Sequence, residues 1–277
     1  MVRPAFDIMV ESAASLLGEC SLFIEVNEKQ LTFVWIHPRE KLIVKLKQFH
    51  AALHPEETVT DLLKELLATD EYSVSDEAGC TIIYNFAETT LAPAAFHSLE
   101  ANKALSDLSF GLMQKSLVLS DRVESWDLYT VYRIPREIHS LLQGKFRSGK
   151  YWHFNSLILA GLNKKDEEAI LRLYFYPDKF TLLLLKGEQL LQLQTYFYQV
   201  PEDVAFYLLS SCQLHGLRPD NIKVQIAGLI ESDSALYHEL GRYFMNLQWL
   251  ESDWQKEPIG EFPAHYFSPL VDMSTCV

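Results

Sequence analysis

Two stretches of this chain spell the same order of elements, and that repetition constrains the fold more than any single motif. In the first, Ser21–Val26, Leu31–Ile36 and Leu42–Lys47 are β-rich runs separated by the polar turns Asn27-Glu28-Lys29-Gln30 and His37-Pro38-Arg39-Glu40, the pattern of an antiparallel meander. Pro55-Glu56-Glu57-Thr58 then opens a helix whose apolar positions include Val59, Leu62, Leu63, Leu66 and Leu67, because proline and acidic residues suit a helix N-terminus. A strand at Cys80–Tyr84, a helix within Pro93–Leu108, a strand at Trp126–Tyr132 and a helix opened by Pro135-Arg136-Glu137 complete the set.

The second stretch repeats it. Strands are expected at Ala169–Tyr176, Phe180–Leu185 and Gln189–Tyr198, then a helix from Pro201-Glu202-Asp203 that Gly216 and Pro219 terminate. A strand at Ile222–Ala227, a helix at Ser232–Phe244, a strand at Leu247–Leu250 and a last helix at Pro263–Met273 follow. Both halves read β-β-β-α-β-α-β-α, and Pro201-Glu202-Asp203 leads to Leu208-Leu209 at the spacing that joins Pro55-Glu56-Glu57 to Leu62-Leu63. A unit this long exceeds solenoid repeats and predicts two lobes. The Gly/Lys/Arg/Ser stretch Gln143–Lys150 has linker composition, dividing the chain into residues 1–148 and 149–277, the latter ending in a strap or helix.

Size and charge bound the function. The 277 residues carry 24 Lys and Arg against 37 Asp and Glu, a net charge of −13, and 48% are hydrophobic. Such a chain buries a full core without staples, which excludes a disordered or disulfide-framework protein. Its acidic field repels phosphate backbones and anionic lipid, arguing against nucleic acid as a partner. Cys20, Cys80, Cys212 and Cys276 lie far apart with no C-x-x-C pair and read as reduced packing residues, not metal ligands. Asp7 and Glu11 interrupt the apolar N-terminal stretch, and no apolar run reaches the roughly 18 residues of a membrane span. A cytoplasmic protein without direct membrane insertion is expected.

Several motifs imitate chemistry. Gly144-Lys145-Phe146-Arg147-Ser148-Gly149-Lys150-Tyr151 copies a P-loop until Tyr151 replaces the metal-binding hydroxyl, and a helix-like segment precedes it where a P-loop needs a buried strand. It reads as a basic linker. The nine histidines are scattered without metal-ligand spacing; His215 decorates a helix C-terminus, and His153 and His265 read as packing residues. The acid pairs Glu56/Glu57, Glu167/Glu168 and Glu202/Asp203 read as solvated charges at element starts. Aromatics concentrate in Tyr174-Phe175-Tyr176, Tyr196-Phe197-Tyr198, Phe206-Tyr207 and Tyr151-Trp152. Strands alternate faces, so a second, exposed aromatic face of the second lobe is a candidate docking surface.

On Phe197-Tyr198, Pro201–Leu209, Ala227-Gly228 with Asp233-Ser234, and Phe262–Phe267, the chain resembles a bacterial family of unknown function assigned to the actin-like ATPase fold. The resemblance implies an α/β protein of two ribonuclease H-like lobes around a cleft, the plan of actin, hexokinase and the type IV pilus scaffold. Members of that superfamily place an Asp-x-Gly-Ser/Thr turn in the first hairpin of each lobe, where glycine lets backbone N–H groups approach phosphate. Here the first turn is Asn27-Glu28-Lys29, with no glycine or hydroxyl and an added carboxylate. The second is Tyr176-Pro177-Asp178-Lys179, in which proline removes a donor. The adenosine-side glycine pair survives only as Ala227-Gly228-Leu229.

The resemblance and these departures imply a non-catalytic binding or scaffolding protein that needs no cofactor. It is expected to receive a protein segment in the interlobe cleft or on the aromatic face. The expected cleft residues are Asn27, Glu28, Lys29, Asp178, Lys179, Gly228, Ser232 and Asp233. The alternative is an ATP/Mg-binding ATPase with degenerate phosphate loops, Asp178 serving the metal and Gly228 the base. Monomer and homodimer both remain open, the latter through the aromatic face.

Overall fold

The computed structural model describes residues 3–40, 42–51, 58–69, 72, 79–162, 168–250 and 258–274. The chain divides into two compact units, residues 1–161 with 259–261 and 273–277, and residues 162–258 with 262–272. In the first unit, β1 (Phe6–Met9) and a 3-10 helix at Glu11–Glu19 lead into β2 (Ser21–Val26), β3 (Gln30–His37) and β4 (Leu42–His50). Then come α1 (Val59–Leu67), β5 (Cys80–Tyr84), β6 (Thr89–Pro93), α2 (Leu99–Phe110), β7 (Ser116–Val123), β8 (Leu128–Pro135), α3 (Arg136–Lys145), β9 (Lys150–His153) and α4 (Phe154–Ala160). The second unit carries β10 (Ala169–Phe175), β11 (Lys179–Lys186), β12 (Gln189–Phe197), α5 (Pro201–Leu214), β13 (Lys223–Gly228), α6 (Ala235–Gly241), β14 (Asn246–Trp249) and α7 (Ser268–Ser274).

The main sheets have one plan. The second unit orders its strands β12-β11-β10-β13-β14, and the first orders β4-β3-β2-β5-β9 with β1 added outside β4. In each, the meander pairs antiparallel and the last two strands add in parallel. Correspondence reaches individual bonds. The Asn27 N–H donates to Gln30 O at 3.0 Å and the Tyr176 N–H to Lys179 O at 2.9 Å. Ala51 donates to Lys29 O at 2.8 Å and Tyr198 to Asp178 O at 3.0 Å; Asn85 donates to Val26 O and Leu229 to Phe175 O, both at 2.9 Å. The register slips at Trp35/Ile36 in one meander and at Leu184/Leu185 in the other, the same place on equivalent strands. Any α/β chain alternates elements, but a shared bulge and three shared turn bonds are what a duplicated unit leaves behind.

Each unit has its own core. Alternation puts Leu22, Ile24 and Val26 of β2 and Leu31 and Phe33 of β3 against Leu62, Leu63 and Leu66 of α1 and Ile138 and Leu142 of α3. In the second unit Leu171, Leu173 and Phe175 of β10 and Phe180, Leu182 and Leu184 of β11 meet Val204 and Leu208 of α5 and Leu236 and Leu240 of α6. A Val, Leu or Phe side chain so enclosed contributes about 1.5–3 kcal/mol by leaving water.

Three expectations change in detail. The strand expected at Trp126–Tyr132 is β8, which pairs antiparallel with β6 and β7 in a separate three-stranded sheet; β9 is the fifth strand of the main sheet, parallel to β5. This inserted sheet carries α2, which the buried Arg133 of β8 holds through Ser106 O at 3.0 Å, Gly111 O at 2.9 Å and Asp107 at 3.3 Å. The segment Gln143–Lys150 is no linker between lobes, because it joins α3 to β9 inside the first unit. A Cβ on Gly149 would stand 2.7 Å from Ile82 Cδ1, so glycine serves the tight return to the sheet.

Lastly, the two Pro-Glu strings are not equivalent. The α1 cap is Thr58, whose hydroxyl oxygen accepts the Asp61 N–H at 3.2 Å while Asp61 accepts the Thr58 amide at 3.3 Å; Pro55, Glu56 and Glu57 lie outside the described residues. In α5, Asp203 accepts the amides of Gln199 and Val200 at 2.9 and 3.2 Å. Asp61 and Asp203 therefore share the third helical position, which shifts the sequence match by one turn.

Candidate functional site

The first-lobe hairpin spends its donors on itself. Asn27, which is buried, accepts the Lys29 and Gln30 amides on its Oδ1 at 2.9 and 2.8 Å, forming an Asx turn. Glu28 Oε1 accepts the Ala87 amide at 2.6 Å from beyond β5, and the buried Glu25 accepts Asn85 Nδ2 at 2.7 Å. Lys29 is exposed. A phosphate needs several unspent N–H groups converging on one point; here the amides of Asn27, Lys29 and Gln30 are engaged and two carboxylates sit beside them.

The second-lobe hairpin closes differently. Pro177 has no amide hydrogen, and the Tyr176 amide is committed to Lys179 O. Asp178 is half-buried, whereas Lys179 is among the largest fully buried side chains, its Nζ 5.7 Å from the Tyr176 ring centroid. The expected ligand-facing lysine is thus a core residue. Gly228 has φ +93°, and a Cβ there would stand 2.2 Å from Phe175 O. The space that glycine opens is filled by the chain's own backbone, not by a base. Ser232 and Asp233 are exposed in the turn before α6, which Ser234 caps by accepting the Tyr237 amide at 3.2 Å. Within the first unit Glu28 bonds Ala87 and Asn27 bonds the Lys29 and Gln30 amides; within the second, Asp178 bonds Tyr198 and Gly228 pairs with Phe175, and Ser232 and Asp233 precede α6. The residues present do not fit a magnesium-bound phosphate.

Polar clusters elsewhere are structural. Asp121, buried, accepts the His153 amide at 2.6 Å, Ser156 Oγ at 2.7 Å and Tyr132 OH at 3.0 Å. His153 is fully enclosed; its Nδ1 accepts the Asn155 amide at 3.1 Å, which leaves the proton on Nε2, 3.0 Å from Phe86 O. Aspartate, histidine and serine are therefore neighbours, yet both histidine nitrogens face backbone and the serine donates to the aspartate, so no base addresses a nucleophile. The cluster ties the inserted sheet to β9 and the start of α4. No spacing in the sequence announces it. His215 caps α5 as expected, and His265 stacks on Trp249 at 3.9 Å while Nε2 donates to Ile230 O at 2.9 Å. Together with Tyr266 OH on Glu231 at 2.6 Å, that lays the stretch around His265 along the end of β13. Trp254 lies outside the described residues.

Burial pushes Cys20 and Cys212 up to about 11 and Cys80 up to about 12, so these thiols are protonated and inert at neutral pH; Cys276 lies outside the described residues. Among the described residues no His/Cys/Asp/Glu cluster could hold a metal, and no helix is long and apolar enough to cross a membrane.

The aromatic surface is narrower than the sequence suggests. Tyr174, Phe175 and Tyr176 are buried, and Tyr196 and Tyr207 stack on each other at 4.2 Å, half-buried. The two aromatics of these clusters that are largely exposed are Phe197 at 50% and Phe206 at 66%, with Val200 at 47%. Phe206 packs edge-on to Tyr207 at 5.7 Å, which links it through Tyr196 to the end of β12. The exposed side chains there are apolar, with Tyr207 half-buried between Phe206 and Tyr196.

Residues 13–247 match the family described as protein of unknown function, DUF3822. The chain belongs to that family. Among solved structures it is similar to a Bacteroides thetaiotaomicron protein with an actin-like ATPase fold and unknown function, at TM-score 0.78 and 12% identity over 96% of this chain and 99% of the other. It is also similar to the PilM–PilN type IV pilus biogenesis complex, at TM-score 0.54 and 11% identity over 93% and 98% of the two chains. No curated protein matches. The DUF3822 chain thus has the actin-like ATPase fold, and at such identities the likeness carries the fold alone.

Proposed function

We propose that this DUF3822 protein is a non-catalytic, cytoplasmic member of the actin-like fold that binds a protein segment on the apolar surface of its second unit. The observation that carries the reading is the state of the two hairpin turns. The Asn27, Lys29, Gln30 and Tyr176 amides are bonded within the turns, Pro177 has no amide hydrogen, and Glu25, Glu28 and Asp178 put carboxylates in or beside them, so electrostatics oppose an anion at close range. Function follows the site and not the fold. Supporting it, Phe197, Val200 and Phe206 are exposed apolar side chains at the end of β12 and around the first turns of α5, of the kind that marks interaction surfaces. The complex of the similar PilM with PilN is a precedent for protein binding by this fold. Asn27, Glu28, Lys29, Asp178, Lys179, Gly228, Ser232 and Asp233 then serve to shape the turns.

The test is capture from native cell extract on immobilised protein, comparing the wild type with Phe206→Ser. Retention of a specific protein by the wild type and its loss from the variant is the expected result. Equal retention by both, or retention only after Mg-ATP is added, overturns the reading.

A further inference from the structure

The two units differ at one sheet edge. In the first unit the outer side of β4 is taken by β1: Ala5 donates its amide to Gln48 O at 2.7 Å and Val10 to Val44 O at 3.0 Å. The equivalent strand of the second unit is β12, and among the described residues no strand pairs with its outer side. The phase of its hydrogen bonding follows from one contact. Because Tyr198 donates to Asp178 O on the β11 side, Tyr196 and Gln194 also turn inward, and Phe197, Thr195 and Leu193 turn their N–H and C=O groups outward. The side chains agree: Thr181 and Thr195 meet through their hydroxyls at 2.9 Å, as residues of a non-hydrogen-bonded pair do. Thr195 is the counterpart of Gln48, since both stand opposite the matching threonines Thr32 and Thr181.

An open edge is ordinarily kept short or charged. The outermost strands β1, β9 and β14 are four residues each, and β1 carries Asp7, paired with Lys47 at 3.4 Å. β12 is nine residues long, and Gln189–Pro201 contains no charged residue although 22% of the chain is charged. Its one interruption is the bulge at Leu191, near the start of the strand, and among the described residues the stretch from Gln192 to Phe197 carries no charge or proline to blunt it.

We infer that this edge pairs with β12 of a second copy across a two-fold axis. The inference rests on the reading of the second unit's apolar surface as an interaction surface, and it identifies the segment received there as the same strand of a second molecule. Two observations select a second copy. Edge-to-edge pairing about a two-fold is antiparallel and sets each residue against its own kind or a near neighbour, which a charge-free strand tolerates even though each chain carries −13 overall. With the axis at Thr195, the outward pattern is also self-complementary: Thr195 faces Thr195 of the second copy, and Leu193 faces its Phe197. Gln194 then faces its Tyr196. Val200, 47% exposed, follows closely on the strand end and extends the apolar contact beyond the backbone ladder.

The experiment is sedimentation velocity over a concentration series with the wild type, Phe197→Pro and Phe206→Ser. Proline at Phe197 removes only an outward-facing N–H, so the isolated fold tolerates it; circular dichroism and melting confirm that the variant is folded. The wild type is expected to reach twice the monomer mass, and Phe197→Pro to weaken dimerisation by about tenfold or more. In a concentrated sample, amide exchange at Thr195 and Phe197 should slow relative to a dilute one while Gln194 and Tyr196 stay unchanged. A wild type that stays monomeric at high concentration, or a folded Phe197→Pro that dimerises as tightly, overturns the inference. If the wild type is monomeric yet Phe206→Ser still abolishes capture of another protein, the surface serves a different partner's segment and only the second copy is wrong. If it dimerises while capture ignores Phe206, the proposed function falls and this inference stands.

Discussion

The first and second units share a sheet order, a bulge and three turn bonds, and differ in what has been added to that frame. The first gained β1 on one edge, and between β5 and β9 a three-stranded sheet with α2. The second kept the bare plan and a long uncharged edge. The contrast is sharpest at one pair of equivalent positions. Tyr84 and Gly228 both pair with the last residue of the meander's first strand, Val26 of β2 and Phe175 of β10. One is a fully buried ring bonded to His139 Nδ1 at 2.7 Å; the other is a glycine pressed against backbone. Duplicated backbones can be kept while each copy fills its strand ends differently, so likeness of fold here carries no likeness of site.

Arg133→Ala should produce the largest effect, because it belongs to an insertion the second unit lacks. Removing it leaves Glu88 and Asp107 unpaired and the α2 end carbonyls unsatisfied. A loss of about 4 kcal/mol is expected in denaturant unfolding, with amide exchange speeding up first in α2. If α2 exchanges as before, the insertion does not depend on this residue. Gly228→Ala comes next, at about 3 kcal/mol or more, since the new Cβ would overlap Phe175 O at a positive φ. A melting temperature within a degree of wild type would show that the close approach relaxes freely.

Asp121→Ala strands the His153, Ser156 and Tyr132 donors and should cost about 2 kcal/mol. It also has a pH signature. Burial raises the Asp121 carboxyl, against the pull of those three donors, so the folded chain holds this proton more tightly than the unfolded one. Its contribution is therefore complete below the ordinary carboxylate range and declines as pH rises through the raised value. Stability measured across that window should fall in the wild type and less in Asp121→Ala; identical slopes would remove Asp121 from the explanation.

Two smaller effects bear on the edges and caps. Ala5→Pro deletes the amide that bonds Gln48 O and should cost about 1 kcal/mol, while Phe197→Pro, on the equivalent open edge, should leave the monomer within about 0.5 kcal/mol of wild type. Thr58→Ala removes the α1 cap and should cost about 1 kcal/mol by the same denaturant assay. Equal costs for the two prolines would mean that the edge of β12 is occupied within the monomer.

The frame was legible because strand alternation and turn residues act locally. Ser21–Val26, Cys80–Tyr84 and Ala169–Tyr176 fall within a residue of their observed ends. Misreadings arose where pairing partners decide. Leu128–Pro135 has the composition of any strand, and only its contacts with β6 and β7 place it in the inserted sheet. The four-residue strand β9 is too short to show an alternation of its own, and the lysine and glycine residues before it have linker composition. The Pro-Glu match slipped a turn because Thr58 caps α1 through Asp61, a bond that composition does not display. At the site, the missing glycines in both turns could be read directly, whereas the enclosure of Lys179 and the use of Glu28 by Ala87 are long-range facts with no local signature.

The most direct measurement is titration calorimetry of the wild-type chain with Mg-ATP and Mg-ADP to millimolar ligand, with melting temperature read in parallel. With the Asn27, Lys29, Gln30 and Tyr176 amides already bonded and Glu28 and Glu25 beside the first turn, neither saturable heat nor a rise in melting temperature is expected. Saturable binding of either nucleotide, with the stabilisation that ligation of the folded state must bring, would contradict the account.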